Sequence, residues 1–268
     1  KDIPTYWLDG DGFKTRFFDA MSTLFPEGEK FFIACVRDFR DQIADPQLQQ
    51  QVADFTRQEG QHGRIHTQFN DRLQQQGIRV DRIIEQERGI LFERFRKRLS
   101  PVYTLALTAA AEHLTATMAH GFFRRGLLER ADPRIRAIYA WHAVEEIEHK
   151  AVAFDVFKTV AHGGYFTRVL AMLQETIMFP LHVFLIMGHM FSVDGIHGWA
   201  RCKLWARGLW WLYGPGGLYM RVLPHYFSYF LPGFHPWKRG QMESYKRWVE
   251  AYQRDGDVVL AGDVLAAP

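Results

Sequence analysis

The chain has 268 residues, 47% hydrophobic, 24% charged and 15% aromatic, which excludes a disordered polypeptide and allows one large domain or two small ones. Thirty-three Lys plus Arg against thirty Asp plus Glu leave a formal charge of +3, too balanced for a nucleic-acid partner that needs a concentrated basic face. The two cysteines, Cys35 and Cys202, are far apart, which excludes a disulfide scaffold and a Cys-based zinc site and makes a reducing, cytoplasmic compartment the expectation.

Lys1 to Asp11 contains neither a Met nor a signal-type apolar core, and reads as a trimmed start. Pro26 reads as the first turn of a helix running to about Ile43. Asp45-Pro46, Ser100-Pro101 and Asp132-Pro133 each set a capping residue before a proline that fits the first helical position. The resulting helices fall near 26–43, 46–76, 81–98, 101–125 and 133–160, with strand signals scarce throughout. Beyond residue 163, Gly, Pro and aromatics rise and helical periodicity becomes patchy. Ile177 to Val193 is an apolar run interrupted by His182 and His189. It reads as a buried helix or pocket wall, with a membrane-facing or lipid-handling surface as the alternative. The nearby Trp199, Trp205, Trp210 and Trp211 suit an interfacial belt as well as a core.

The helix at 46–76 carries the clearest pattern. Leu48, Val52, Phe55, Glu59, His62, His66, Phe69 and Leu73 follow one another at alternating steps of four and three, one stripe facing a core. Glu59 and His62 converge on one point beside the helix, and His66 lies one turn further on. The helix at 133–160 repeats the device: His142, Glu146 and His149 share a stripe with Ile135, Ile138, Ala153 and Val156, while Glu145 and Glu148 sit at its edge. Two further helices each offer an inward carboxylate. Glu29 aligns with Phe32, Ile33 and Val36 and is favoured over Glu27, whereas Glu112 lies in the stripe of Leu105, Thr108, Thr115 and Ala119.

Glu29 precedes the first Glu-x-x-His by 30 residues and Glu112 precedes the second by 34, each the length of one helix, a loop and the start of the next. Two helix pairs, each giving Glu plus Glu-x-x-His, supply the ligand set of a four-helix di-iron or di-manganese carboxylate site. A network of buried salt bridges is the alternative, disfavoured because buried charges are rare without partners or metal. Four carboxylates with imidazoles make a hard, oxygen-rich site that suits iron, manganese or a mixed pair better than structural zinc. Such a centre would take O2 as co-substrate.

Over nearly its full length the sequence resembles a bacterial family known as predicted metal-dependent hydrolases. The resemblance rests on Phe25-Pro26-Glu27-Gly28-Glu29, Gln58-Glu59-Gly60-Gln61-His62, Glu112-His113-Leu114-Thr115, Trp141 to Lys150 and Gly233-Phe234-His235-Pro236-Trp237. The four-helix core is also similar to the ferritin-like di-iron oxygenases related to 4-aminobenzoate N-oxygenase, whose pattern adds a histidine one turn before the last Glu-x-x-His. That resemblance implies Glu29, Glu59, His62, Glu112, His142, Glu146 and His149 as metal ligands. His66 and Glu145 are left as outer-sphere or substitute ligands.

The expectation is therefore an all-α, ferritin-like four-helix bundle with additional helices. Residues 1–162 form the di-metal bundle, and 163–268 form an aromatic-rich helical extension integrated with it. The bundle would bind two iron ions and use O2 to oxygenate, N-oxygenate or desaturate a small apolar or acyl substrate. A binuclear hydrolase and a non-catalytic iron protein are the alternatives. The basic cluster Arg94, Arg96, Lys97 and Arg98 reads as a solvated helix end, with docking of a ferredoxin-type electron donor as its functional reading. The other expected partners are a peripheral membrane contact at 177–193 and a second copy forming a homodimer, with no nucleic acid.

Overall fold

The computed structural model describes residues 3–123, 127–238 and 242–266. Among them the fold is all-α, with no strand and a single isolated bridge, Leu8 to Ala131. The helices are α1 (Gly12–Arg37), α2 (Pro46–Gln75), α3 (Val80–Arg88), α4 (Arg96–Arg98), α5 (Pro101–Phe123), α6 (Pro133–His149), α7 (Val152–Asp155), α8 (Tyr165–Val193), α9 (Gly198–Tyr213), α10 (Leu223–Ser228), α11 (Met242–Asp255) and α12 (Val258–Ala266). Wider π-type turns at Gly89–Phe95 and Val156–Val160 follow α3 and α7.

The expected caps form. Asp45 Oδ1 accepts from the Gln47 amide at 3.0 Å, Asp132 Oδ1 from Arg134 at 3.0 Å, and Ser100 Oγ from Tyr103 at 3.2 Å. The first helix differs from expectation: it begins at Gly12, capped by Asp11 Oδ1 on the Phe13 and Lys14 amides, and runs straight through Pro26. Phe13, Phe17, Phe18, Met21 and Leu24 are buried at helical spacing, and that burial outweighs the proline. A proline has no N–H to give the carbonyl four residues earlier, here Ser22. Asn70 Nδ2 from α2 donates to that carbonyl at 2.9 Å instead.

The expected single helix at 133–160 is also divided. It ends at His149, turns at Lys150–Ala151, and resumes as α7 and a π-type turn.

The chain forms two compact units. One comprises Phe17–Glu112 and His149–Ile196. Here α1 is tied to α2 by Arg72 Nη2 on Asp19 Oδ1 at 3.0 Å, and to α3 and α4 by the buried Glu27 on Arg88 and by Asp38 on Arg96. Burial alone would raise the Glu27 carboxyl, but its bonds to Arg88 and Lys30 hold it below its usual range. The segment from α3 to α5 runs antiparallel beside α8. Its contacts are Arg79 N to His189 Nε2 at 3.3 Å, Glu87 Oε2 to His182 Nδ1 at 3.5 Å, and Tyr103 Oη to Gln174 Oε1 at 2.9 Å.

The other unit comprises the segment ending at Arg16, His113–Glu148, and the chain from His197 onward. Its core joins Ala119 of α5 and Ala140, Ala143, Val144 and Ile147 of α6 to Trp248, Ala251 and Ala261 of α11 and α12. Gly208 in α9 lies against the Phe13 ring so closely that a Cβ there would sit 2.1 Å from it.

The run at 177–193 is not a wholly buried helix. It is part of the 29-residue α8, which buries Ala171, Met172, Val183, Ile186, Met187, Met190 and Phe191 and leaves its other side open.

Candidate metal centre

Helix α2 brings its polar stripe to the interior because the same stripe carries Leu48, Val52, Phe55, Phe69 and Leu73, all buried. Glu59 and His62 go with it, at 1% and 0% exposure, three residues apart with His62 Nδ1 3.8 Å from Glu59 Oε2. Glu112 of α5 and His149 at the end of α6 come to the same point. One donor atom each from Glu59, Glu112 and His149 lies within 4.8 Å of the others, and all three residues are buried. His149 Nε2 is 3.0 Å from Glu59 Oε1 and 3.4 Å from Glu112 Oε2.

The imidazole orientation is held from its far side. His149 Nδ1 is 3.1 Å from Gln58 Oε1, which only accepts, so Nδ1 carries the proton and donates. Nε2 then points a lone pair at two carboxylate oxygens. That arrangement repels unless a cation, a proton or a metal ion, stands among the three donors. Donors bound about 2.1 Å from one ion, at angles of roughly 90–110°, lie ~3.0–3.4 Å apart. The two His149 distances match that spacing, so the residues present fit a metal ion. Gln58 carried no signal in the sequence beyond its place before Glu59.

Glu29 reaches α2 one residue past His62: its Oε2 lies 3.0 Å from the position a Cβ on Gly63 would take. Gly63 therefore leaves room for this carboxylate. Its neighbour Glu27 turns to Arg88 and Lys30.

His142 and Glu146 are described within the other unit. Both are buried on α6, with His142 Nε2 2.8 Å from Glu146 Oε1, and Thr115 Oγ1 donates to Glu146 Oε2. Thr115, which the sequence showed as part of the α5 stripe, thus orients a candidate ligand. Glu145 faces another way and accepts from Trp141 Nε1 at 3.0 Å; Glu148 accepts from Tyr245 Oη at 3.2 Å. On α6, Glu146 and His149 remain one turn apart, the Glu-x-x-His spacing.

His66 serves α1. Ser22 Oγ gives its one proton to Asn70 Oδ1 at 2.8 Å, so at the 2.8 Å contact with His66 Nδ1 the imidazole donates. His66, Ser22 and Asn70 thus form the buried network that repairs α1 at Pro26. His113 and His120 are likewise engaged elsewhere, His113 Nε2 with the His225 carbonyl at 3.1 Å and His120 against the His225 ring.

A family model described as predicted metal-dependent hydrolase matches residues 1–240. The chain belongs to this family. In this metal-dependent hydrolase family member, the matched span contains every candidate ligand from Glu29 to His149. No curated protein and no solved structure matches the chain significantly.

Proposed function

We propose that the chain is a two-metal carboxylate enzyme in which Glu29, Glu59, His62, Glu112, His142, Glu146 and His149 supply the ligands. The observation that carries this reading is the convergence of buried Glu59, Glu112 and His149 donors around a point that needs a cation. Bound there, two ions would supply Lewis acidity to activate water or, as iron, the electrons to reduce O2. The protein's own contribution is positional. Gln58 fixes the His149 tautomer, Thr115 aims Glu146, Gly63 makes room for Glu29, and the ring of Phe55, 5.1 Å from that of His149, keeps that side apolar.

Of the two reactions, hydrolysis is the one the family description supports. In that reading the metal ions are redox-inert and turnover proceeds without O2 or a reductant. The donor set favours the second reading, oxidation of a small apolar or acyl substrate on a ferritin-like di-iron core fed by a ferredoxin-type donor. Four carboxylates around repeated Glu-x-x-His pairs suit iron or manganese in changing oxidation states. A reconstituted sample separates the two. Metal is counted per chain after loading with Fe(II), Mn(II) or Zn(II), and ester and phosphoester turnover is then followed anaerobically beside O2 uptake after reduction. Anaerobic turnover supported by Zn(II) or Mn(II) establishes the hydrolase. O2 uptake confined to the iron form establishes the oxidase, and fewer than one bound ion per chain removes both.

A further inference from the structure

Helix α8 is 29 residues long, about 43 Å, and its best apolar stretch has a mean hydropathy of 1.7 with only 17% of it buried. The core helix of a soluble domain passes the same composition test but is mostly buried. The uncovered side is a single stripe: Phe166, Leu170, Leu173, Ile177, Leu181 and Leu185, spaced by four or three residues and 44–83% exposed. Scattered exposed leucines are ordinary, but six large side chains in one row form a patch of the kind that marks an interaction surface.

The opposite side of α8 is engaged with protein. Arg168, Ala171, Met172, Val183, Ile186, Met187, Met190 and Phe191 are buried, and Gln174, His182 and His189 touch the α3–α5 segment. A helix packed along one side cannot be surrounded by lipid. It can lie in the plane of an interface with its open stripe immersed.

Charge identifies the surface. The segment alongside α8 exposes Arg79, Arg82, Arg94 and Arg98, while Arg88, Arg96 and Lys97 are bonded to Glu27, Asp38 and Glu93. Exposed Asp81 and Glu85 offset part of this charge, and the exposed cations outside the ion pairs exceed them by four to two. Burial and the Glu27 charge push the Glu87 carboxyl up to about 7, and burial and the Glu87 charge push Glu175 up to about 8. Burial pulls His182 down, and burial with Arg79 and Arg82 pulls His189 down. An apolar stripe beside a run of cations matches a bilayer whose headgroups are anionic.

We propose that the α8 stripe and the basic residues of 79–98 dock this protein peripherally on an anionic phospholipid surface. The docking face does not depend on which reaction the metal centre performs, or on the centre itself. It would place an enzyme of apolar or acyl substrates where such molecules are concentrated.

The test is co-sedimentation of the full, metal-loaded chain with vesicles of mixed phosphatidylglycerol and phosphatidylcholine, and with phosphatidylcholine alone. The expected result is binding to the anionic vesicles, at least about tenfold weaker on neutral ones and weakened by salt. Leu170→Glu with Ile177→Glu and Leu185→Glu, all at exposed positions, should reduce binding by more than about tenfold with metal content and thermal melt unchanged. Arg82→Glu with Arg94→Glu and Arg98→Glu should remove the preference for anionic vesicles and leave the fold untouched. Glu112→Gln should lose metal yet still bind vesicles, which separates failure of the metal reading from failure of this one. Absence of binding to either vesicle overturns the proposal. So does a dimer in sedimentation equilibrium that the Leu/Ile triple variant splits while vesicles bind neither form.

Discussion

Asn70 Nδ2 lies 2.9 Å from the Ser22 carbonyl, the one acceptor in α1 that Pro26 leaves without a helical donor. Asn70 is 1% exposed, so its removal strands a buried carbonyl and leaves the Ser22 hydroxyl with His66 alone. Asn70→Ala should cost about 1–3 kcal/mol in urea unfolding. In a Pro26→Ala background the restored amide serves Ser22 directly, and the same change should cost roughly 1 kcal/mol less. Equal costs in the two backgrounds would show that Asn70 acts through some other contact.

Two glycines on α2 make an internal comparison. A Cβ on Gly60 meets nothing within 4 Å, whereas one on Gly63 meets Glu29 Oε2 at 3.0 Å and the Pro26 Cα at 3.7 Å. Gly60→Ala should therefore stabilise the helix by ~0.5–1 kcal/mol, the usual gain of Ala over Gly. Gly63→Ala should gain less than this and should lower metal affinity, because Glu29 must shift. Metal titration beside thermal melts reads both. Equal stabilisation with unchanged metal binding at Gly63 would remove Glu29 from the ligand set.

The pair Glu87 and Glu175 sets a pH dependence. Both carboxyls titrate higher in the folded chain, at about 7 and about 8, than the ordinary 4.5. The folded state thus holds protons that the unfolded state has released, and stability falls as pH rises from about 4.5 to about 8. Of the groups facing them, Glu27 with Arg88, His182 and Tyr103, the buried His182 works the other way, but only below its ordinary 6.5, so the sign above pH 7 is set by the two carboxyls. Glu175→Gln removes the higher of the two titrations. Between pH 7 and 8 the wild type should go on losing stability, by a fraction of the ~1.4 kcal/mol per pH unit that one proton can give, while the variant levels off. Parallel curves across that window would mean that Glu175 is ionised and solvated in the native chain.

Much of this was legible because α2 states its own burial. Its apolar residues repeat at helical spacing over seven turns, so Glu59 and His62 could be placed in the interior without any coordinates. What escaped depended on distant residues. Pro26 looked like a helix start, since the group that lets α1 run through it is Asn70, in another helix. His66 lay on the same stripe as the candidate ligands, and its contact with Ser22 appears only once α1 and α2 pack. Gln58 is a polar neighbour of Glu59 whose role exists because His149 arrives from 91 positions away. For α8, composition showed an apolar helix but not which side the fold would leave open.

Gln58 gives the most direct reading of the metal centre. Its Oε1 accepts the His149 Nδ1 proton, which fixes Nε2 as the atom facing Glu59 and Glu112. Gln58→Leu keeps the side-chain length nearly constant but removes the acceptor, so His149 becomes free to protonate at Nε2 and turn away. Loss of such an outer hydrogen bond typically weakens a metal site by about 10–100-fold. Competition of the chain with a chelator for Mn(II) or Fe(II) should show a loss of that size, whereas Gln58→Glu, which restores an acceptor, should recover most of it. Glu145→Gln is the control on the same helix as His149. Its carboxylate accepts from Trp141, so its removal should leave metal affinity within about twofold of the wild type. A Gln58→Leu variant that binds metal as tightly as wild type would mean that His149 is held by the metal or by the fold alone. A Glu145→Gln variant that loses metal would move the ligand assignment on α6 from Glu146 to its neighbour.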